Sequence, residues 1–400
     1  MNNFRIVFYT GNRAEFSLIR PLIESVRENK NIDSRLIVSG AHIDPKYGNT
    51  LSEIEESGIK VNFLTEKLKS DKLYNSTPEL ISKSIEETCK AIEELKPALL
   101  IIYADRYETF GACIAASQQG IPVLHIEGGD ITEGGCLDDN VRHAITKLSH
   151  LHCTTNEESS RRVISLGEEK WRVKNIGLPS LDDIYKQNYA KPNEIIKQFS
   201  IDLSKPIILF TQHTVSSELH QLEEHLEQSI LALDRLSNEL SAQVICTYPN
   251  NDEGSQLIID NLKLFVLRNK SIKLFKSLGG YYYHGFLGLS RLNKVRIISI
   301  GNSSSGIKET ACFGLTHLNV GNRQRGRTVS SNVINVPYEK EIIFSQANNS
   351  LKKYSSGLNH NDPYWNGGAG KNFSSFISEV SHIPTDKILV KTSCKTTLSI

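Results

Sequence analysis

Apolar and polar positions along this chain follow two rhythms that take turns. Short runs rich in aliphatic and β-branched residues, at positions 5–10, 34–39, 98–103, 121–126 and 150–155, read as strands buried on both faces. Amphipathic stretches with helical spacing, such as 16–29 and 78–95, lie between them. A second series starts at Pro206 with IILFTQH and continues at 242–248, 271–275, 295–300 and 317–320. Strand alternating with helix is the pattern of a parallel sheet covered on both sides, so two successive series predict an α/β chain with two Rossmann-like halves. Gly177, Pro179, Pro192 and Pro206 interrupt the pattern, which puts the join between 177 and 205. The expected division is 1–180, 181–370 and a C-terminal helix with polar tail over 371–400, the helix (373–380) returning towards the first domain.

Length and composition fit this reading. Four hundred residues exceed what one core usually organises. A hydrophobic content of 39% with 23% charged residues is that of a globular protein. The formal net charge of +1 creates no field for nucleic acid or anionic lipid, so an anionic ligand must be met by local cations and backbone N–H groups. Seven scattered cysteines without a C-x-x-C pair or metal-ligand spacing read as reduced thiols, and no metal is expected. The N-terminus lacks the basic and apolar regions of a signal peptide, and no apolar run approaches a membrane span. A cytoplasmic protein with a small-molecule partner is expected.

Candidate chemistry gathers where strands end. The stretch HIEGGDITEGGCLDDNVRHAITK packs Glu127, Asp130, Glu133, Asp138 and Asp139 against Arg142, His143 and Lys147 on a glycine-rich loop. Asp138, Asp139 and Asn140 read as caps for a helix beginning near Val141. The first strand runs into GNRAE, neither a dinucleotide fingerprint nor a Walker loop; Arg13 there is an anion donor or the partner of Glu15. Asp105 follows the run at 98–103, as a crevice acid or a helix N-cap. His213 closes the strand that starts the second half. Asn250 lies in PNNDEGS, a turn by composition. GNSSSGIKE, pinned between an apolar strand and a helix, offers Ser303, Ser304 and backbone N–H groups to a diphosphate, with Glu309 one turn in, placed for ribose hydroxyls. Arg323, Arg325 and Arg327 follow the next strand in GNRQRGR.

Taken in order, GNRAE, GAHIDPKYGNT, ADRYE, HIEGGD with DDNVRHAITKLSHLH, the strand-end Gln212-His213, PNNDEGS, GNSSSGIKE and NRQRGR make the chain resemble the UDP-N-acetylglucosamine 2-epimerase family, in its hydrolysing bacterial branch that opens sialic-acid and related nonulosonic-acid synthesis. The resemblance runs from about residue 5 to 372. It implies the two-domain glycosyltransferase-B arrangement with substrate in a central cleft, a homodimer or homotetramer, and no cofactor. It places Arg13, Asp105, Glu127, Asp139, Arg142 and His213 on active-site positions, and Asn250, Ser303, Ser304, Glu309 and Arg323 on nucleotide-binding ones. Two departures bear on specificity: Leu18 stands where relatives often carry Lys, and the loop between Gly129 and Asp138 is longer than in several relatives.

The implied reaction explains the density of acids. C2–H of an N-acetylhexosamine is not adjacent to a carbonyl, so UDP must leave C1 before a carboxylate can take that proton. Elimination gives a 2-acetamidoglucal, and addition of water yields free N-acetylmannosamine. Asp105, Glu127 and Asp139 are the expected proton-transfer groups; Arg13, Arg142 and His213 would steady the diphosphate. The same reaction on UDP-2,4-diacetamido-2,4,6-trideoxyhexose, a non-hydrolysing epimerase that re-adds UDP, and a glycosyltransferase of the same fold remain the alternatives. Carboxylates around C2 argue against transfer.

Overall fold

The computed structural model describes residues 3–43, 50–67, 77–132, 136–250, 252–352 and 362–392. It divides into two compact units, one of residues 1–130, 137–182 and 364–400, the other of 131–136 and 183–363.

The first unit is built on seven parallel strands: β1 (Phe4–Thr10), β2 (Ile32–Val38), β3 (Phe63–Leu64), β4 (Leu99–Tyr103), β5 (Val123–Ile126), β6 (Leu151–Thr154) and β7 (Val173–Asn175). Their order is β3-β2-β1-β4-β5-β6-β7. Period-two alternation sorts the strand residues between two cores. Ile6, Phe8, Leu99 and Ile101 enter one face with Leu36 and Val38, whereas Val7, Tyr9, Leu100 and Ile102 enter the other with Ile37. The helix Ala369–Val380 joins the first core through Phe373, Phe376, Ile377 and Val380, beside Arg13–Val26, and the Phe8 and Phe373 rings lie 5.9 Å apart. The C-terminal helix therefore does return to the first unit. It begins at Ala369, four residues before the expected start, where the Asp182 carboxylate accepts from the N–H groups of Ala369 (2.7 Å) and Gly370 (2.8 Å).

The second unit repeats the plan with six parallel strands, β8 (Ile207–Thr211), β9 (Gln243–Thr247), β10 (Ile272–Phe275), β11 (Ile297–Gly301), β12 (His317–Val320) and β13 (Val333–Val336), ordered β10-β9-β8-β11-β12-β13. Its core joins these strands to Leu222–Leu240, Ser255–Arg268 and Lys340–Lys352.

Both sheets reverse their order once, between β1 and β4 and between β8 and β11. Neighbouring crossovers diverge at such a point and leave a crevice at the carboxyl ends of the two strands. The segments that follow these four strands carry Arg13, Asp105, His213 and Ser303. Among the described residues no helix is long and apolar enough to cross a membrane.

Candidate functional site

In the first unit the acids converge on one guanidinium. Arg142 is almost wholly buried. It pairs with Asp105 through Nη2 and with Asp139 through Nη1 at 2.5 Å, and Nη1 also donates to the Asp130 carbonyl at 3.0 Å. Burial opposes its charge, but Asp105, Asp130, Asp139 and Glu127 outweigh burial and push the guanidinium up, so it stays a cation. Asp139 and Arg142 reach each other because they lie three residues apart on the helix Cys136–Leu148. That helix starts about one turn earlier than its sequence suggests. Asp138 and Asp139 thus stand inside the first turn, where the helix dipole favours carboxylates, and are not caps. Asp105 is not an N-cap either: Arg106 occupies the position before Tyr107–Gln118.

Two strained residues aim the acids. Ala104, just past β4, has φ +58°, and Glu127, just past β5, has φ +68°, backbone conformations that cost a non-glycine residue about 1 kcal/mol or more. The first is pinned by the fully buried His125, whose Nε2–H donates to the Ala104 carbonyl at 2.8 Å while Nδ1 faces the Thr146 hydroxyl at 3.1 Å. Since a carbonyl only accepts, the neutral ring must carry its proton on Nε2. Burial pulls His125 down to about 3, which keeps it neutral. The second is held by its N–H bond to the Cys153 carbonyl (2.9 Å), and its carboxylate accepts from the Tyr103 hydroxyl. Arg162 donates to the Gly129 carbonyl and holds the loop from the other side.

Glu15 is turned inward. Its Oε2 accepts from the Gly11 N–H at 2.7 Å and Oε1 from the Thr109 hydroxyl at 3.3 Å. Burial, reinforced by Glu108, pushes it up to about 8. The Arg13 side chain, Cys136 and Leu137 side chains, and residues 133–135 of the long loop lie outside the described residues.

In the second unit the ends of β8, β9, β11 and β12 are bonded to one another. The His213 N–H donates to Asn302 Oδ1 (2.6 Å), and Asn302 Nδ2 returns a bond to the His213 carbonyl (2.9 Å). Asn250 places its backbone N–H on His213 Nδ1 at 3.1 Å, while its side chain is exposed. Arg323 donates to the Asn302 carbonyl at 3.1 Å and Gln324 does so at 2.7 Å. Ser303 precedes a helix of only five residues, Ser304–Lys308, and its hydroxyl meets that of Ser305 at 2.9 Å. Glu309 is therefore the C-terminal cap of this short helix rather than a residue of its second turn. It faces His284 Nε2 at 3.3 Å and raises the buried Tyr283 hydroxyl, an effect second to burial.

The structure thus brings Asp105, Asp139 and Arg142 together, with Glu127 close enough to act on the same cation, and it brings His213, Asn250, Ser303 and Arg323 together around Asn302. Sequence reading gave no role to Tyr103, His125 and Asn302, although Tyr103 ends β4 and the other two lie inside marked motifs. It gave Arg142 to a diphosphate; in the structure the guanidinium pairs with Asp105 and Asp139 and donates to the Asp130 carbonyl.

The family model described as UDP-N-acetylglucosamine 2-epimerase matches residues 24–378. The chain is 33% identical over 335 residues to the GDP/UDP-N,N'-diacetylbacillosamine 2-epimerase (hydrolyzing) of Campylobacter jejuni, covering 84% of each chain. It is 31% identical over 349 residues to the UDP-N,N'-diacetylbacillosamine 2-epimerase (hydrolyzing) of Legionella pneumophila, covering 87% of this chain and 89% of that one. Its fold matches the crystal structure of UDP-GlcNAc 2-epimerase from Neisseria meningitidis bound to UDP-GlcNAc with TM-score 0.74, at 20% identity and over 94% of this chain and 99% of that one. The family match over residues 24–378, with relatives 33% and 31% identical over more than four fifths of the chain, establishes that this chain belongs to the UDP-N-acetylglucosamine 2-epimerase family.

Proposed function

We propose that the chain is a hydrolysing 2-epimerase that converts UDP-N-acetylglucosamine and water to N-acetylmannosamine and UDP. The observation that carries this reading is the set of carboxylates, Asp105, Glu127 and Asp139, oriented around the buried Arg142. Transfer of a sugar needs no such set, whereas removing and returning a proton at C2 needs a base and an acid. In the first half-reaction the C1–O bond breaks, its electron pair leaves with UDP, and the C2 proton passes to a carboxylate, giving the 2-acetamidoglucal. In the second, water adds its hydroxyl at C1 and passes its proton to a carboxylate, while an acid returns a proton to the opposite face of C2.

Asp105, Glu127 and Asp139 serve these transfers. Tyr103 orients Glu127, and Arg142 spaces and balances the acids. His213, Asn250, Ser303, Ser304, Glu309 and Arg323 hold the UDP moiety, together with Arg13. No step calls for a nicotinamide or a metal.

The names of the two bacillosamine relatives favour a second reading, in which the same steps act on UDP-2,4-diacetamido-2,4,6-trideoxyhexose. Both sugars present UDP at C1 and acetamide at C2 and differ at C4 and C6. Proton and phosphorus NMR of the purified protein with each nucleotide in turn separates the possibilities. Free N-acetylmannosamine with UDP supports the first reading. Turnover of the diacetamido nucleotide alone supports the second. UDP-N-acetylmannosamine would replace hydrolysis by UDP return.

A further inference from the structure

The strands that flank the switch point of the second sheet are joined by one side chain. Asn302 follows β11, is fully buried, and uses its amide in both directions on the residue that follows the neighbouring strand. Oδ1 accepts from the His213 N–H at 2.6 Å, and Nδ2 donates to the His213 carbonyl at 2.9 Å and to the Tyr338 hydroxyl at 3.3 Å. Its own N–H donates to the Thr211 carbonyl at 3.1 Å, and its carbonyl accepts from Arg323 and Gln324. An amide alone among side chains of this size supplies an acceptor and two donors at once. Aspartate keeps the acceptor and loses both donors; serine is too short to span the gap.

The clasp has a chemical consequence. With the His213 backbone fixed, the ring is delivered to the Asn250 N–H, which donates to Nδ1 at 3.1 Å. A nitrogen that accepts has no proton, so a neutral ring carries its hydrogen on Nε2. We propose that Asn302 is a positioning residue that holds His213 as a neutral imidazole with Nε2–H as a fixed donor, and that this edge meets an anionic phosphoryl oxygen rather than exchanging protons with the sugar.

The identity of the anion rests on the reading of the site given above; the tautomer does not. Protonation would place a hydrogen on Nδ1 against the N–H of Asn250. Of the charged groups that act on the ring, Arg323 disfavours a second positive charge and Asp252 favours it, and burial exceeds both. Tyr338, the other titratable group touching the clasp, is itself pushed up to about 12 by burial.

The test uses the full chain labelled with 15N-histidine and no nucleotide. His213 is assigned from the signal lost in His213→Gln, and its two nitrogen shifts are followed from pH 5 to 8. The expected wild-type pattern is Nε2–H, unchanged over that range. In Asn302→Asp and Asn302→Ser, the ring is expected to titrate within the range or to mix tautomers. A wild-type Nδ1–H pattern, a wild-type titration near pH 6.5, or folded variants with an unaltered His213 pattern would each overturn the proposal. Should neither variant fold, the wild-type pattern still decides the tautomer, and fast exchange of the His213 N–H, which donates to Asn302 Oδ1, would overturn the clasp. UDP is then added as a separate probe: losing a hydrogen bond to a charged group predicts roughly 10- to 100-fold weaker binding by the folded variants. A tautomer result as expected with no UDP binding by the wild type would leave the clasp standing and remove the nucleotide reading.

Discussion

Replacing Arg142 by Met probes the centre of the acid cluster most severely. The methionine keeps much of the side chain's length and removes the cation that is paired with Asp139 at 2.5 Å, with Asp105 and with the Asp130 carbonyl at 3.0 Å. Two carboxylates whose side chains are 18% and 14% exposed then lose their shared counter-ion. Breaking a buried ion pair by deleting one partner costs about 3–5 kcal/mol. For a domain of this size each kcal/mol lowers the melting point by about 2–4 °C, so a fall of roughly 6–20 °C is expected. Both tryptophans, Trp171 and Trp365, lie in the first unit, so fluorescence follows the unit that carries the change. The pairing itself is isolated by a cycle with Asp105→Asn, in which the two substitutions should couple by about 1–3 kcal/mol. If Arg142→Met melts with the parent, or if the two changes add within about 0.5 kcal/mol, the charge-balancing role given to Arg142 is wrong.

Three further outcomes are expected. A Cβ on Gly306 would lie 2.2 Å from Cε1 of the buried His317 ring, so Gly306→Ala should cost about 1–3 kcal/mol, and adding His317→Ala should recover part of it in urea melts; equal stability of all three would refute the contact. His213 and His317 are each pulled down to about 3, foremost by burial, so below pH 6.5 the unfolded state binds their protons first. The second unit should then lose up to about 2.7 kcal/mol per pH unit on acidification, while Glu15, raised to about 8 in the first unit, acts with the opposite sign and gives up its contribution as pH climbs through 8. Calorimetry from pH 5 to 8.5 measures both trends, and a second-unit transition that does not move between pH 6.5 and 5 would refute the first. Arg172, buried beneath Trp171 with 4.2 Å between guanidinium carbon and ring centre, donates to the carbonyls of His150, Lys387, Ile388 and Val390. Arg172→Ala should release the segment after Thr385–Leu389 to limited proteolysis and shift Trp171 emission, and unchanged cleavage would count against that anchor.

The alternating strand–helix order was legible because central parallel strands are buried on both faces and so appear as unbroken apolar runs. The edge strands β3, β7 and β13 were not, since each is short and mostly not buried, whereas the edge strand β10 was legible. Charged strand-end residues announced the acid cluster. Tyr103, His125 and Asn302 stayed silent because their partners lie 24, 21 and 89 residues away, and no local pattern encodes a bond that only the sheet order creates. Helix starts failed for a related reason: the acids that read as caps of Cys136–Leu148 are drawn into its first turn, where Arg142 reaches Asp139.

Proton exchange at C2 separates the proposed reaction from every route that leaves that hydrogen in place. Turnover of UDP-N-acetylglucosamine in deuterated water, with the free sugar isolated and its C2 position read by NMR, should give N-acetylmannosamine carrying one deuterium at C2, and Glu127→Gln should lower the rate. Product that retains its original C2 hydrogen would contradict elimination and the carboxylate roles built on it.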